Sequence, residues 1–179
     1  MSQKEKPTVS ELEQFRSAKD EFFKNDPQSP LTPEQRKEFQ GLKYFPEHPG
    51  LRFSLPLETF PKKDQIQMQT STGDIQTYSR IGRIRFRVEG QDAELTVYGD
   101  RHGFFLPFVD GLAGKETYGA GRYMEPEVGE NGQLLVDFNL AYNPYCAYND
   151  LYSCPITPFE NRLKIPIRAG EQVFHLSEE

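Results

Sequence analysis

The feature that most constrains this chain is a change of hydrophobic period near residue 42. Beyond that point phenylalanine, isoleucine, valine and tyrosine alternate with polar side chains, and glycine or proline interrupts the run about every ten residues. Alternation with a period of two sends successive side chains to opposite faces of a strand. Turn residues at that spacing predict an antiparallel β-sandwich or a partly closed barrel. The best-defined unit is Arg83–Tyr98, where Ile84, Phe86 and Val88 share a face with Ala93, Leu95 and Val97. A turn at Gly90-Gln91 predicts buried pairs 88:93, 86:95 and 84:97. It sets Arg87 against Glu94, Arg85 against Thr96 and Arg83 against Tyr98 on the outer face. With those partners the three arginines read as ordinary surface side chains in preference to an anion-binding face.

The residues ahead of the switch are helical in pattern. Thr8 with Glu11, or Ser10 with Glu13, forms a capping box, and Leu12, Phe15, Ala18 and Phe22 then mark one face with Phe23 beside it. Asn25-Asp26-Pro27 ends that helix. Thr32, Pro33 and Gln35 open a second, and Gly41 stands just past its end. The expected layout is a loose N-terminus at 1–9 and a single β-rich domain at 10–175. Two N-terminal helices, at about 10–26 and 33–40, pack on it. The alternative is that the first helix serves as a partner-binding arm.

Composition removes several classes of function. The 21 basic and 27 acidic side chains leave a net charge of −6, with five basic and eleven acidic residues in 109–179. Glu125, Glu127 and Glu130 fall in a turn region and Glu178 and Glu179 at the end, so this is not one acidic patch. An acidic balance without a basic patch argues against nucleic acid, whose phosphates call for Lys and Arg. No stretch approaches the ~18 apolar residues of a membrane span, and the first fifteen residues lack an apolar signal region. A cytoplasmic location is therefore expected. His48, His102 and His175 are scattered and the two cysteines lack zinc spacing, so no metal and no cofactor are expected. The glycines of 111–117 do not make a nucleotide-binding loop: the spacing puts Val109 where glycine is needed and Glu116 where Ser or Thr is needed.

One segment stands apart. Residues 139–158 hold four tyrosines, three asparagines, both cysteines and one charged side chain, Asp150. Apolar rings with hydrogen-bonding tips suit a pocket for a polar organic ligand, and they equally suit a loop satisfying its own backbone. The strand feeding it, Leu134–Leu140, puts Leu134, Val136, Phe138 and Leu140 on one face and Asp137 and Asn139 on the other. An inward-facing Asp137 needs a partner, and Arg122 is the expected one.

These blocks carry a resemblance. Arg16-Ser-Ala-Lys19-Asp20-Glu-Phe22, Ser29-Pro30-Leu31 and Phe39 through Pro46 come first. Thr117-Tyr118, Gly121-Arg122-Tyr123 and Asp137 through Ala147 follow, then Cys154-Pro155 and Glu160-Asn161-Arg162-Leu163. Together they resemble the domain of unknown function 1684 family. The resemblance implies one domain beginning near residue 10, and it implies no reaction and no catalytic residues. The family's polar positions map onto Arg122, Asp137, Asn139, Tyr142, Asn143, Cys146, Cys154, Glu160 and Asn161. Three functions fit this set. The leading one is a small polar organic ligand, with Arg122 clamping a carboxylate while Asn139 and Asn143 orient it. The second is a hydrolase or acyl-transfer enzyme with Cys146 or Cys154 as nucleophile and Asp137 or Glu160 as base. The third is a structural or partner-binding module without chemistry, and the oligomeric state stays open throughout.

Overall fold

The computed structural model describes residues 10–174. The expected loose N-terminus at 1–9 and His175 lie outside the described residues. Helix α1 spans Glu11–Asn25; Ser10 caps it by accepting the Glu13 amide at 3.1 Å. Helix α2 spans Pro33–Glu38, and its capping box is complete: Thr32 accepts the Gln35 amide while Gln35 accepts the Thr32 amide. Among the described residues nine strands follow: β1 Arg52–Leu55, β2 Glu58–Thr59, β3 Gln65–Gln69, β4 Ile75–Val88, β5 Gln91–Asp100, β6 Gly103–Phe108, β7 Arg122–Met124, β8 Glu127–Val128 and β9 Leu134–Asp137.

They form two antiparallel sheets. The larger runs β2-β4-β5-β6-β7 with β3 also paired to β4, and the smaller runs β1-β9-β8. No closed barrel forms among the described residues. One core lies between the sheets: Ile84, Phe86, Leu95, Val97, Leu106 and Phe108 of the large sheet meet Leu134, Val136 and Phe138 from the other side. Ile165, Ile167 and Ala169 join the same core from a C-terminal segment that has no strand of its own.

The β4–β5 hairpin keeps the expected faces but not the expected register. Phe86 pairs with Ala93, Ile84 with Leu95 and Arg85 with Glu94, two residues from the predicted pairing. The turn is Glu89-Gly90, with φ of 52° and 76°. Two positive φ angles match the right-handed twist of a two-residue hairpin, which is worth a strained Glu89. A shift of two preserves the side of every side chain. Arg85 now meets Glu94 at 3.0 Å and Arg87 meets Asp92 at 3.0 Å, while Arg83 lies 3.6 Å from Glu94.

A second departure lies at the end of β9. The strand stops at Asp137, whose carboxylate accepts the Asn139 amide at 2.9 Å and turns the chain into a short 3-10 helix, Phe138–Leu140. Leu140 therefore faces outward instead of extending the buried face.

Candidate functional site

The polar positions separate into groups with different work. Arg122 enters from β7 with 1% of its surface exposed. Its guanidinium donates to the carbonyl oxygens of Ile167 at 2.9 Å, Glu171 at 3.1 Å and Ala169, and it lies 3.8 Å from Asp110. Burial drives its pKa down to about 10, against the pull of Asp110 and Glu171. The expected Arg122–Asp137 pair does not form. Asp137 faces Arg52 at 2.9 Å, because β9 pairs with β1 and places Arg52 directly opposite.

Three asparagines do comparable work. Asn161 accepts the Thr96 amide and donates to the carbonyls of Thr96 and Pro107, each at 2.8 Å. Asn139 accepts the His48 amide at 2.8 Å and donates to the His48 carbonyl at 3.0 Å. Asn143 donates to the Gln172 carbonyl at 2.9 Å. All three are buried. Irregular chain inside a protein cannot satisfy its own backbone groups, so side chains must do it. Gly121, at φ 103°, admits the same crowding; a Cβ there would sit 2.6 Å from the Phe108 carbonyl.

Glu160 receives two hydrogen bonds from Arg80, at 2.8 and 3.1 Å, and one from the Tyr98 hydroxyl. Burial disfavours its ionisation, yet those bonds outweigh burial and hold its pKa below the usual carboxylate value. Sequence reasoning missed Asp110, which accepts Thr117 at 2.6 Å and the Ile167 amide at 2.8 Å. It also missed Glu171, which is 2% exposed and receives Lys19 and the Tyr148 hydroxyl. A lone carboxylate directly after the apolar run Phe104–Val109 was the signal for Asp110.

The remaining three positions, Tyr142, Cys146 and Cys154, lie in the tyrosine-rich loop, and this loop borders a hollow. A groove of about 660 Å³ runs between α1 and the loop. Phe15, Ala18 and Phe22 form the helix wall; Tyr142, Tyr145 and Tyr152 form the other, with Tyr123 and Cys154 also lining the groove. A second hollow of about 560 Å³, over Phe53, Leu135 and Asp137, shares Phe15 and Tyr142 with the first. The Tyr142 hydroxyl donates to Glu125, and burial together with that carboxylate raises its pKa. The hydroxyls of Tyr145 and Tyr152 make no hydrogen bond among the described residues. Arg122, Asn139, Asn143, Glu160 and Asn161 do not line the groove. The nine polar positions thus do not converge on one cavity.

The cysteines are both free. The Cys146 amide donates to the Cys154 sulfur at 3.3 Å, and the Cys146 sulfur lies 3.9 Å from the Tyr118 hydroxyl. Hydrogen bonding from the Cys154 thiol, aided by Tyr118 and Ser71 and opposed by burial, brings the Cys146 pKa down to about 6. Cys154 moves up, because it keeps its proton to donate it and is buried besides. Neither Asp137 nor Glu160 is a hydrogen-bond partner of either sulfur. No group of three or more metal-ligating side chains occurs among the described residues.

A family model described as protein of unknown function (DUF1684) matches residues 37–172. The chain belongs to this family. It is also similar to the solution NMR structure of an uncharacterized protein from Haloarcula marismortui, at 33% sequence identity and a TM-score of 0.67. That likeness covers 90% of this chain and 91% of the other. No curated protein matches. The family match takes in all nine polar positions and the loop wall of the groove, and begins beyond α1. No described helix is long and apolar enough to cross a membrane.

Proposed function

We propose that this protein binds a small organic molecule with a flat, largely apolar body and one or two hydrogen-bonding groups, in the groove between α1 and the tyrosine-rich loop. The observation that carries this reading is the groove itself. Its volume of about 660 Å³ falls within the range of small-molecule sites, and aromatic rings supply most of its walls. Tyr145 and Tyr152 bring hydroxyls not used elsewhere among the described residues, which suits a ligand that both stacks and hydrogen-bonds. Lys19 lines the groove too, but its ammonium is held by Glu171, so the ligand need not be an anion. The ligand-binding reading thus moves from Arg122 and the asparagines to the aromatic positions Tyr142, Tyr145 and Tyr152.

The test is displacement of a fluorescent probe. Anilinonaphthalene sulfonate binds the folded protein saturably and is displaced by naphthol. Ala18→Trp, which fills the groove from an exposed helix position, weakens both by about tenfold or more. Val128→Ala, on remote strand β8, changes neither. Absence of saturable binding, or an Ala18→Trp variant of unchanged melting temperature and unchanged affinity, overturns the reading.

A further inference from the structure

The two cysteines are more than small buried side chains. Cys154 is 7% exposed and Cys146 is partly open to solvent, so a small reagent reaches Cys146 first. They belong to different stretches of one loop, and a hydrogen bond ties them together. The Cys146 amide donates to the Cys154 sulfur at 3.3 Å, and the neighbouring Cys154 thiol lowers the Cys146 pKa. Cys154 is itself fixed by the turn between β3 and β4: its amide donates to Ser71 Oγ at 3.1 Å and its carbonyl accepts the Ser71 amide at 2.9 Å. The groups facing the Cys146 sulfur are the Cys154 thiol, the Tyr118 hydroxyl and Ser71. The Cys154 thiol and the Tyr118 hydroxyl can each donate a hydrogen bond, and donors favour a thiolate, whereas the Ser71 hydroxyl donates to the Tyr152 carbonyl at 3.1 Å.

We propose that Cys146 and Cys154 form a two-cysteine thiol centre, in which Cys146 attacks a hydroperoxide and Cys154 resolves the product as an intramolecular disulfide. In the first step the Cys146 thiolate attacks one peroxide oxygen. A sulfur–oxygen bond forms and the oxygen–oxygen bond breaks, so sulfur loses two electrons and the second oxygen leaves as hydroxide or alkoxide. In the second step the Cys154 sulfur attacks the Cys146 sulfur and displaces its hydroxyl. The Cys154 proton leaves with that hydroxyl as water. A thiol reductant returns both sulfurs to their starting state. The centre shares Cys154 with the groove wall, but Cys146 does not line the groove and neither step requires a groove ligand.

The experiment treats the full-length reduced chain with one equivalent of hydrogen peroxide and reads intact mass and free thiols. The wild type loses both thiols and about 2 Da, remains monomeric on a non-reducing gel, and recovers with dithiothreitol. Cys154→Ser stops at Cys146 sulfenic acid, which dimedone traps. Cys146→Ser reacts at least about tenfold more slowly. Survival of both thiols in the native protein, equal reactivity of Cys146→Ser, or disulfides only between chains overturns the proposal. A measurement on the wild type needs no variant to fold: iodoacetamide, with peptide mapping, labels Cys146 ahead of Cys154, half-maximally near pH 6. Half-maximal labelling near the pH of an ordinary thiol contradicts it.

Discussion

Desolvating a guanidinium is expensive, and Arg122 is buried almost completely. Its three carbonyl partners belong to residues 167, 169 and 171, the segment that joins the core without a strand. Removing the side chain leaves those carbonyls without their donor and Asp110 without its ion partner, so Arg122→Ala destabilises the protein by about 3–5 kcal/mol in urea unfolding. Lysine does not restore the loss, because a single ammonium lacks the planar spread of donors that reaches three carbonyls. The partners can be separated in a double-mutant cycle. Arg122→Ala and Asp110→Ala couple, whereas Arg122→Ala and Asp137→Ala add. Additivity with Asp110 together with coupling to Asp137 contradicts this geometry. At this scale the sequence showed that these positions were polar and clustered, but not that their partners were backbone groups. The hydrogen bond that Asn161 donates to the Thr96 carbonyl spans 65 residues and leaves no local pattern.

Elements were legible where the code is local. The caps at Ser10 and Thr32 and the alternating faces of β4 and β5 follow directly from residue spacing. The hairpin register did not, because Glu-Gly is a weak signal for a turn with two positive φ angles. Glu89 sits in the left-handed region at φ 52°, where a residue with a long side chain is strained. Glu89→Asn therefore raises stability by about 0.5–1 kcal/mol, after loss of an exposed contact 3.8 Å from Arg168. The denaturation midpoint moves upward with an unchanged slope. A lower midpoint argues for the predicted turn at Gly90-Gln91. Helix α1 reads from sequence as an amphipathic segment packing on the β-rich domain, with a partner-binding arm as the alternative. In the structure Phe23 packs against Leu31, Phe39 and Tyr148 with Phe22 partly buried beside them, and Phe15, Phe22 and Phe23 all border the groove. Periodicity shows that a face is apolar; it does not show that part of that face stays open.

For the whole molecule, two sheets and a strandless C-terminal segment share one core, and the polar family positions divide between holding that arrangement and edging a loop. Fold class was readable because alternation and turn spacing constrain topology strongly. The groove was not, because it depends on α1 lying against a loop more than 100 residues away in sequence. The uneven distribution of charge acquires a physical meaning here. The tyrosine-rich loop has one charged residue, and its rings close the core on one side and line the groove on the other.

Under the proposed function Arg122 and the buried asparagines hold the fold while the aromatic groove receives the ligand. Chemical-shift mapping by NMR during a titration with naphthol separates the two roles. Saturable shifts are expected at Phe22, Tyr142, Tyr145 and Tyr152, with Arg122, Asn139 and Asn161 unmoved. Shifts centred on Arg122 and the asparagines, with the tyrosine resonances unchanged, contradict it.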